Sequence, residues 1–83
     1  TMQTTIEISM YPLREAYIEP IDFFINHLKS IDQIDVRVNE TSTHIFGDYD
    51  LVFDALKEGV RKSFEKYGKA VFVLKILNGN LKA

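Results

Sequence analysis

Three patterns in the chain predict an α+β fold. Residues 4–11 and 34–38 alternate apolar and polar side chains with the two-residue period of half-buried strands. Residues 18–30, and those following Asp48, repeat apolar positions at spacings of three and four, as amphipathic helices do. The resulting order is strand, helix, strand, strand, helix, strand. That order fits the ferredoxin-like βαββαβ arrangement, a four-stranded antiparallel sheet with two helices on one face.

In the first strand Ile6, Ile8 and Met10 share one face and Glu7, Ser9 and Tyr11 the other. Pro12, which has no N–H to give a sheet ladder, ends it. A polar link, LREAY, leads to a helix with Pro20 in its first turn and Ile21, Phe24, Ile25 and Leu28 on its apolar stripe. Ile34, Val36 and Val38 then alternate with Asp35, Arg37 and Asn39, and the turn Asn39, Glu40 and Thr41 follows. The third strand, over residues 42–47, puts Ile45 on one face and His44 and Phe46 on the other.

Asp48 or Asp50 suits the N-cap of the second helix, whose expected inward stripe is Val52, Phe53, Leu56, Val60 and Phe64. Lys62 and Lys66 complement its dipole, and Gly68 supplies a left-handed stop. Gly59 costs that helix about 1 kcal/mol relative to alanine, which marks a close approach to the other helix or to the sheet. The last strand, AVFVLKIL, is almost continuously apolar, more than a sheet with one wet face requires. The open face, carrying Ser9, Tyr11, Arg37, Asn39, His44 and Phe46, is therefore expected to meet a second subunit.

Composition narrows the functions available. A chain of 83 residues is read as one domain, residues 1–83, burying roughly 60% of its unfolded surface, which leaves room for one thin core. Without cysteine it has no disulfide, thiolate nucleophile or zinc knuckle, which suits a reducing, cytoplasmic setting. No apolar run approaches the roughly 20 residues of a membrane span, and TMQTTIEIS lacks signal-peptide character, so no membrane insertion is expected. Thr1, ahead of Met2, reads as a residue left by cloning. Ten basic and twelve acidic residues give a net charge of -2 with no block of either sign, which argues against a nucleic-acid partner.

Catalytic and metal patterns are weak. His27 and His44 share no ligand spacing with each other or with a carboxylate, and no metal site is expected. The four glycines form no phosphate loop, and the hydroxyls near His44 lack a nucleophile elbow. Tyr11 and Phe46 on one sheet face suit a subunit interface better than an RNA platform, because basic signatures are missing. A sharper possibility is a small-molecule site. Ser9 and Tyr11 leave the first strand beside Asn39, Ser42 and Thr43 of the hairpin, with Phe46 as a second ring, and such a group can hold a flat heterocycle.

IEISMYPL, STHIFGDYDLVFDALK and KAVFVLKI, in that order over residues 6–76, resemble the thiamine-binding protein family of ferredoxin-like proteins. The resemblance implies binding of thiamine or its hydroxymethylpyrimidine moiety without catalysis, in thiamine salvage or transport. It implies no cofactor beyond that ligand, and a homodimer or homotetramer built through the sheet. By residue match, Ser9 and Tyr11 occupy the family's SxYP strand end and Ser42 and Thr43 its ST pair, while Asn39 sits at a hairpin position that varies. Thr43 or Ser42 with Asn39 can read an aminopyrimidine edge, Tyr11 or Phe46 can stack, and Glu7 or Asp48 can answer the thiazolium charge. The competing reading is a regulatory or structural dimerisation module binding another small molecule, such as an amino acid. A ferredoxin-like acyl phosphate hydrolase is disfavoured, since the link before the first helix has Arg14 as its sole cation.

Overall fold

The alternation of the first strand becomes the centre of the sheet. The computed structural model describes residues 2–82, and Thr1, read above as a cloning remnant, lies outside them. The elements are β1 (Gln3–Pro12), α1 (Ile18–Lys29), β2 (Asp35–Val38), β3 (Thr43–Asp48), α2 (Tyr49–Tyr67) and β4 (Ala70–Asn78). The strands lie in the order β2-β3-β1-β4 and every neighbouring pair is antiparallel. This is the ferredoxin-like α+β fold that the element order predicts.

Register explains the core. Ile6 lies opposite Ile45 on β3, which in turn faces Val36 on β2. These side chains share one face and pack with Phe24 and Leu28 of α1 and Val52, Ala55 and Leu56 of α2. Asp48 caps α2, accepting the Leu51 N–H at 3.4 Å, and Gly68 ends it at φ +81°. Among the described residues, no helix is long and apolar enough to cross a membrane.

The inward stripe of α2 is rotated from the expected one. Val52, Ala55, Leu56, Gly59 and Ser63 are buried, while Phe53 and Val60 are half-buried and Phe64 is exposed. Gly59 is the reason: a β-carbon there would lie 2.9 Å from Phe24 Cε1 and 3.0 Å from His27 Cδ2, so α1 presses onto this side of α2. Phe64 is turned to the flank, edge-on to Phe72 at 5.7 Å. His27, on the same side of α1, has its Nε2 buried without a partner.

The open face is partly closed by the chain itself. Residues 79–82 fold back across it: Thr5 Oγ1 donates to the Gly79 carbonyl at 2.9 Å, Leu81 N donates to Thr5 Oγ1 at 3.0 Å, and Lys82 Nζ pairs with Asp35 at 2.9 Å. Thr5 and Asp35 are the two lateral neighbours of Phe46 in the sheet. The returning segment thus crosses Phe46, which is only 3% exposed. The expectation of an uncovered Phe46 is corrected accordingly. What stays exposed is β4, an edge strand with Val71, Val73 and Leu77 on one face and Leu74 and Ile76 on the other.

Candidate functional site

Pro12 ends β1, and the five-residue link brings the first turns of α1 back beside that strand end. The β2–β3 hairpin arrives from the opposite side, its turn closed by Asn39 N donating to the Ser42 carbonyl at 2.8 Å. A cavity of about 660 Å³ lies between these three pieces. Its floor is apolar, made by Ile8, Met10, Ile21, Phe24 and Ile25. Tyr11, Tyr17 and Asp22 line it from the strand end and the helix, and Asn39, Glu40, Thr41, Ser42 and Thr43 from the hairpin. An apolar bowl with a few polar groups at its lip suits a small ring system.

The polar groups differ in how free they are. Ser42 Oγ donates to Glu7 Oε2 at 3.2 Å, and Asn39 Nδ2 donates to His44 Nδ1 at 2.8 Å. With Nδ1 accepting, the neutral His44 ring carries its proton on Nε2, which faces Glu7 Oε2 at 3.3 Å. Those groups are engaged on the open face of the sheet. Thr43 is different: on the helix-facing side opposite Ile8 and Val38, it is 6% exposed and stands in the wall of the cavity. A hydroxyl so placed can donate to, or accept from, a polar group that enters the cavity.

Four of the six residues singled out from sequence, Tyr11, Asn39, Ser42 and Thr43, therefore line one cavity. Tyr11 is 55% exposed, so its ring is not locked into the core. Ser9 and Phe46 do not line it. Ser9 Oγ donates to the Thr41 carbonyl at 3.4 Å and ties the hairpin turn to β1. Phe46 belongs to a second cavity, of about 420 Å³, on the open face with Glu7, Arg37, His44, Lys75 and Leu81. There it stacks on His44 at 6.1 Å, and the Arg37 guanidinium lies 5.8 Å from its ring. Ser9 and Phe46 stand at open-face positions of β1 and β3, which point away from the helices, whereas Tyr11, on the same face, lines the cavity from the strand end.

The two carboxylates considered as charge partners also lie elsewhere. Glu7 is held by Ser42, His44 and Lys75 on the open face, and Asp48 is the α2 cap. Asp22 and Glu40 stand at the rim instead. Sequence reasoning missed them together with Tyr17, since on a helix's polar face, in a turn or in a link they carry no periodic signal. The first turn of α1 is anchored by Tyr67, whose hydroxyl donates to Glu19 Oε2 at 2.7 Å, and this bond holds the phenol above the usual tyrosine range. A third cleft, of about 450 Å³ between Leu13, Phe64 and Lys69, is chiefly apolar. No group of three or more His, Asp or Glu able to hold a metal ion occurs among the described residues.

Solved structures share this architecture. A protein from Streptococcus pneumoniae superposes with a TM-score of 0.87 at 23% identity, covering 96% of this chain and 90% of its own. A hypothetical protein from Methanocaldococcus jannaschii gives 0.82 at 26% identity, covering 100% and 87%. A Thermotoga maritima protein, provisionally assigned to thiamine biosynthesis or salvage, gives 0.82 at 25% identity, covering 90% and 82%. No curated protein matches the chain significantly. Residues 3–79, nearly the whole βαββαβ unit just described, match the profile of the YKOF-related family, and the chain belongs to that family.

Proposed function

We propose that the protein binds thiamine or its hydroxymethylpyrimidine moiety in the rim cavity, without catalysis, as part of thiamine salvage or transport. The observation that carries this reading is the cavity of about 660 Å³ itself, whose apolar floor is bordered by Tyr11, Asn39, Ser42 and Thr43. A pyrimidine nitrogen or amino group entering there would hydrogen-bond with the Thr43 hydroxyl, the apolar floor would take the ring, and Tyr11 and Tyr17 offer aromatic faces at the mouth. The Thermotoga maritima relative, with its provisional place in thiamine biosynthesis or salvage, supports the same ligand class.

Binding without bond breaking agrees with the polar geometry. Ser42 and His44 both turn to the same Glu7 oxygen, so the serine hydroxyl is bonded to a carboxylate and not to the imidazole that a nucleophile would need as base. A second copy of the chain, packed on the exposed apolar residues of β4, completes the proposal. Calorimetric titration with thiamine and with hydroxymethylpyrimidine tests the ligand. Saturable binding with one site per chain is expected, and no heat from either compound at millimolar concentration would overturn it.

A further inference from the structure

We propose that the rim cavity selects unphosphorylated heteroaromatic ligands, cationic or neutral, and that Asp22 is the residue that reads the charge. This inference rests on the ligand reading above and specifies which members of that ligand class the site takes. Its basis is a segregation of charge across the sheet. The charged side chains lining the rim cavity among the described residues are Asp22 and Glu40, and no lysine, arginine or histidine joins them. Arg37, His44 and Lys75 line the other cavity, behind β1 and β3.

A phosphate ester needs cations or free backbone N–H groups around its oxygens. The start of α1 borders the cavity, yet it is poorly equipped for that task. Pro20 has no N–H, the Ile21 N–H already donates to the Tyr17 carbonyl at 3.4 Å, and Glu19 places a negative charge in the first turn. A thiazolium ring meets the opposite situation, since Asp22 and Glu40 both favour positive charge at the mouth. The neutral pyrimidine fragment is indifferent to either.

The test is titration of thiamine, hydroxymethylpyrimidine and thiamine monophosphate into the native chain and into Asp22→Asn. Asp22 is exposed on α1, so the substitution leaves the core untouched. The monophosphate is expected to bind at least about tenfold more weakly than thiamine, with the gap widening at low ionic strength. Asp22→Asn should weaken thiamine about threefold to tenfold, leave the neutral pyrimidine within about twofold, and narrow the difference between thiamine and its monophosphate. Glu40→Gln should act in the same direction. If thiamine and pyrimidine bind but the monophosphate binds equally well, this inference alone fails. Equal weakening of thiamine and pyrimidine by Asp22→Asn also overturns it, because shape rather than charge would then be the cause. If neither thiamine nor pyrimidine binds, the functional reading falls and this inference falls with it.

Discussion

Ser42 donates its hydroxyl proton to Glu7 across the β1–β3 pairing, Oγ to Oε2 at 3.2 Å, and so fastens the hairpin turn to the central strand. Glu7 also faces His44 at 3.3 Å and Lys75 at 3.5 Å, which makes it the common partner of the hairpin turn, β3 and β4. Glu7→Ala should therefore loosen the turn although Glu7 does not line the rim cavity. Faster hydrogen exchange at the Asn39 amide, which closes the turn, is the expected sign, with ligand affinity reduced about threefold to tenfold as the wall becomes mobile. An unchanged Asn39 exchange rate would remove Glu7 from this role.

Thr43→Val keeps the shape of the side chain and deletes the hydroxyl. Binding of thiamine or its pyrimidine should weaken by about 1 to 3 kcal/mol, as expected for a lost hydrogen bond in a buried site. Stability should change little, because the substitution keeps the side chain's size and removes a polar atom only from the cavity wall. Calorimetric titration beside urea denaturation separates the two effects, and a folded variant with native affinity would exclude Thr43 from the site.

Gly59→Ala sets helix propensity against packing. Alanine favours the helix by about 1 kcal/mol, but its methyl group would meet Phe24 at 2.9 Å and His27 at 3.0 Å, both side chains of a tightly packed partner helix. Overpacking of this kind costs about 1 to 3 kcal/mol, so a net loss of stability is expected. A urea midpoint at or above that of the native protein would show that α1 can retreat without cost.

The strand and helix periods made the fold legible because burial on one face imposes them directly: Ile6, Ile8 and Ile45 alternate as written and pack as written. The rim cavity was half legible. Tyr11, Asn39, Ser42 and Thr43 could be found because a strand end and a polar hairpin are local features of sequence. Asp22 and Tyr17 could not, since their relation to Thr43 exists only after α1 docks on the sheet. Phe46 was misplaced for a similar reason. The segment that crosses it begins more than thirty residues later in the chain, and nothing in its few residues announces where it returns.

The Tyr67–Glu19 hydrogen bond predicts a direction of pH dependence. Its phenol is held above the usual range, chiefly by the bond to Glu19. A proton held more tightly in the folded state stabilises it fully below the unfolded phenol value, near about 10, and that contribution is lost as pH rises through the raised folded value. Native protein should thus lose stability on alkaline titration more than Tyr67→Phe does. Parallel melting curves for the two across that range would contradict the assignment.

Ile76→Lys tests the exposed edge. Ile76 is 55% exposed on β4, so lysine there should leave the monomer's urea midpoint nearly unchanged. Self-association through β4 should be reduced or abolished, as a charge on an apolar edge strand opposes pairing. Sedimentation velocity reads the outcome, and an unchanged oligomer would place the contact elsewhere.

Asn39 borders both chambers, the one under the helices and the one on the far side of the sheet. The hairpin turn that carries Asn39 is thus a wall shared by the two cavities. A molecule that shifted this wall from one side would alter affinity on the other, and thermodynamic reciprocity would make that influence equal in both directions.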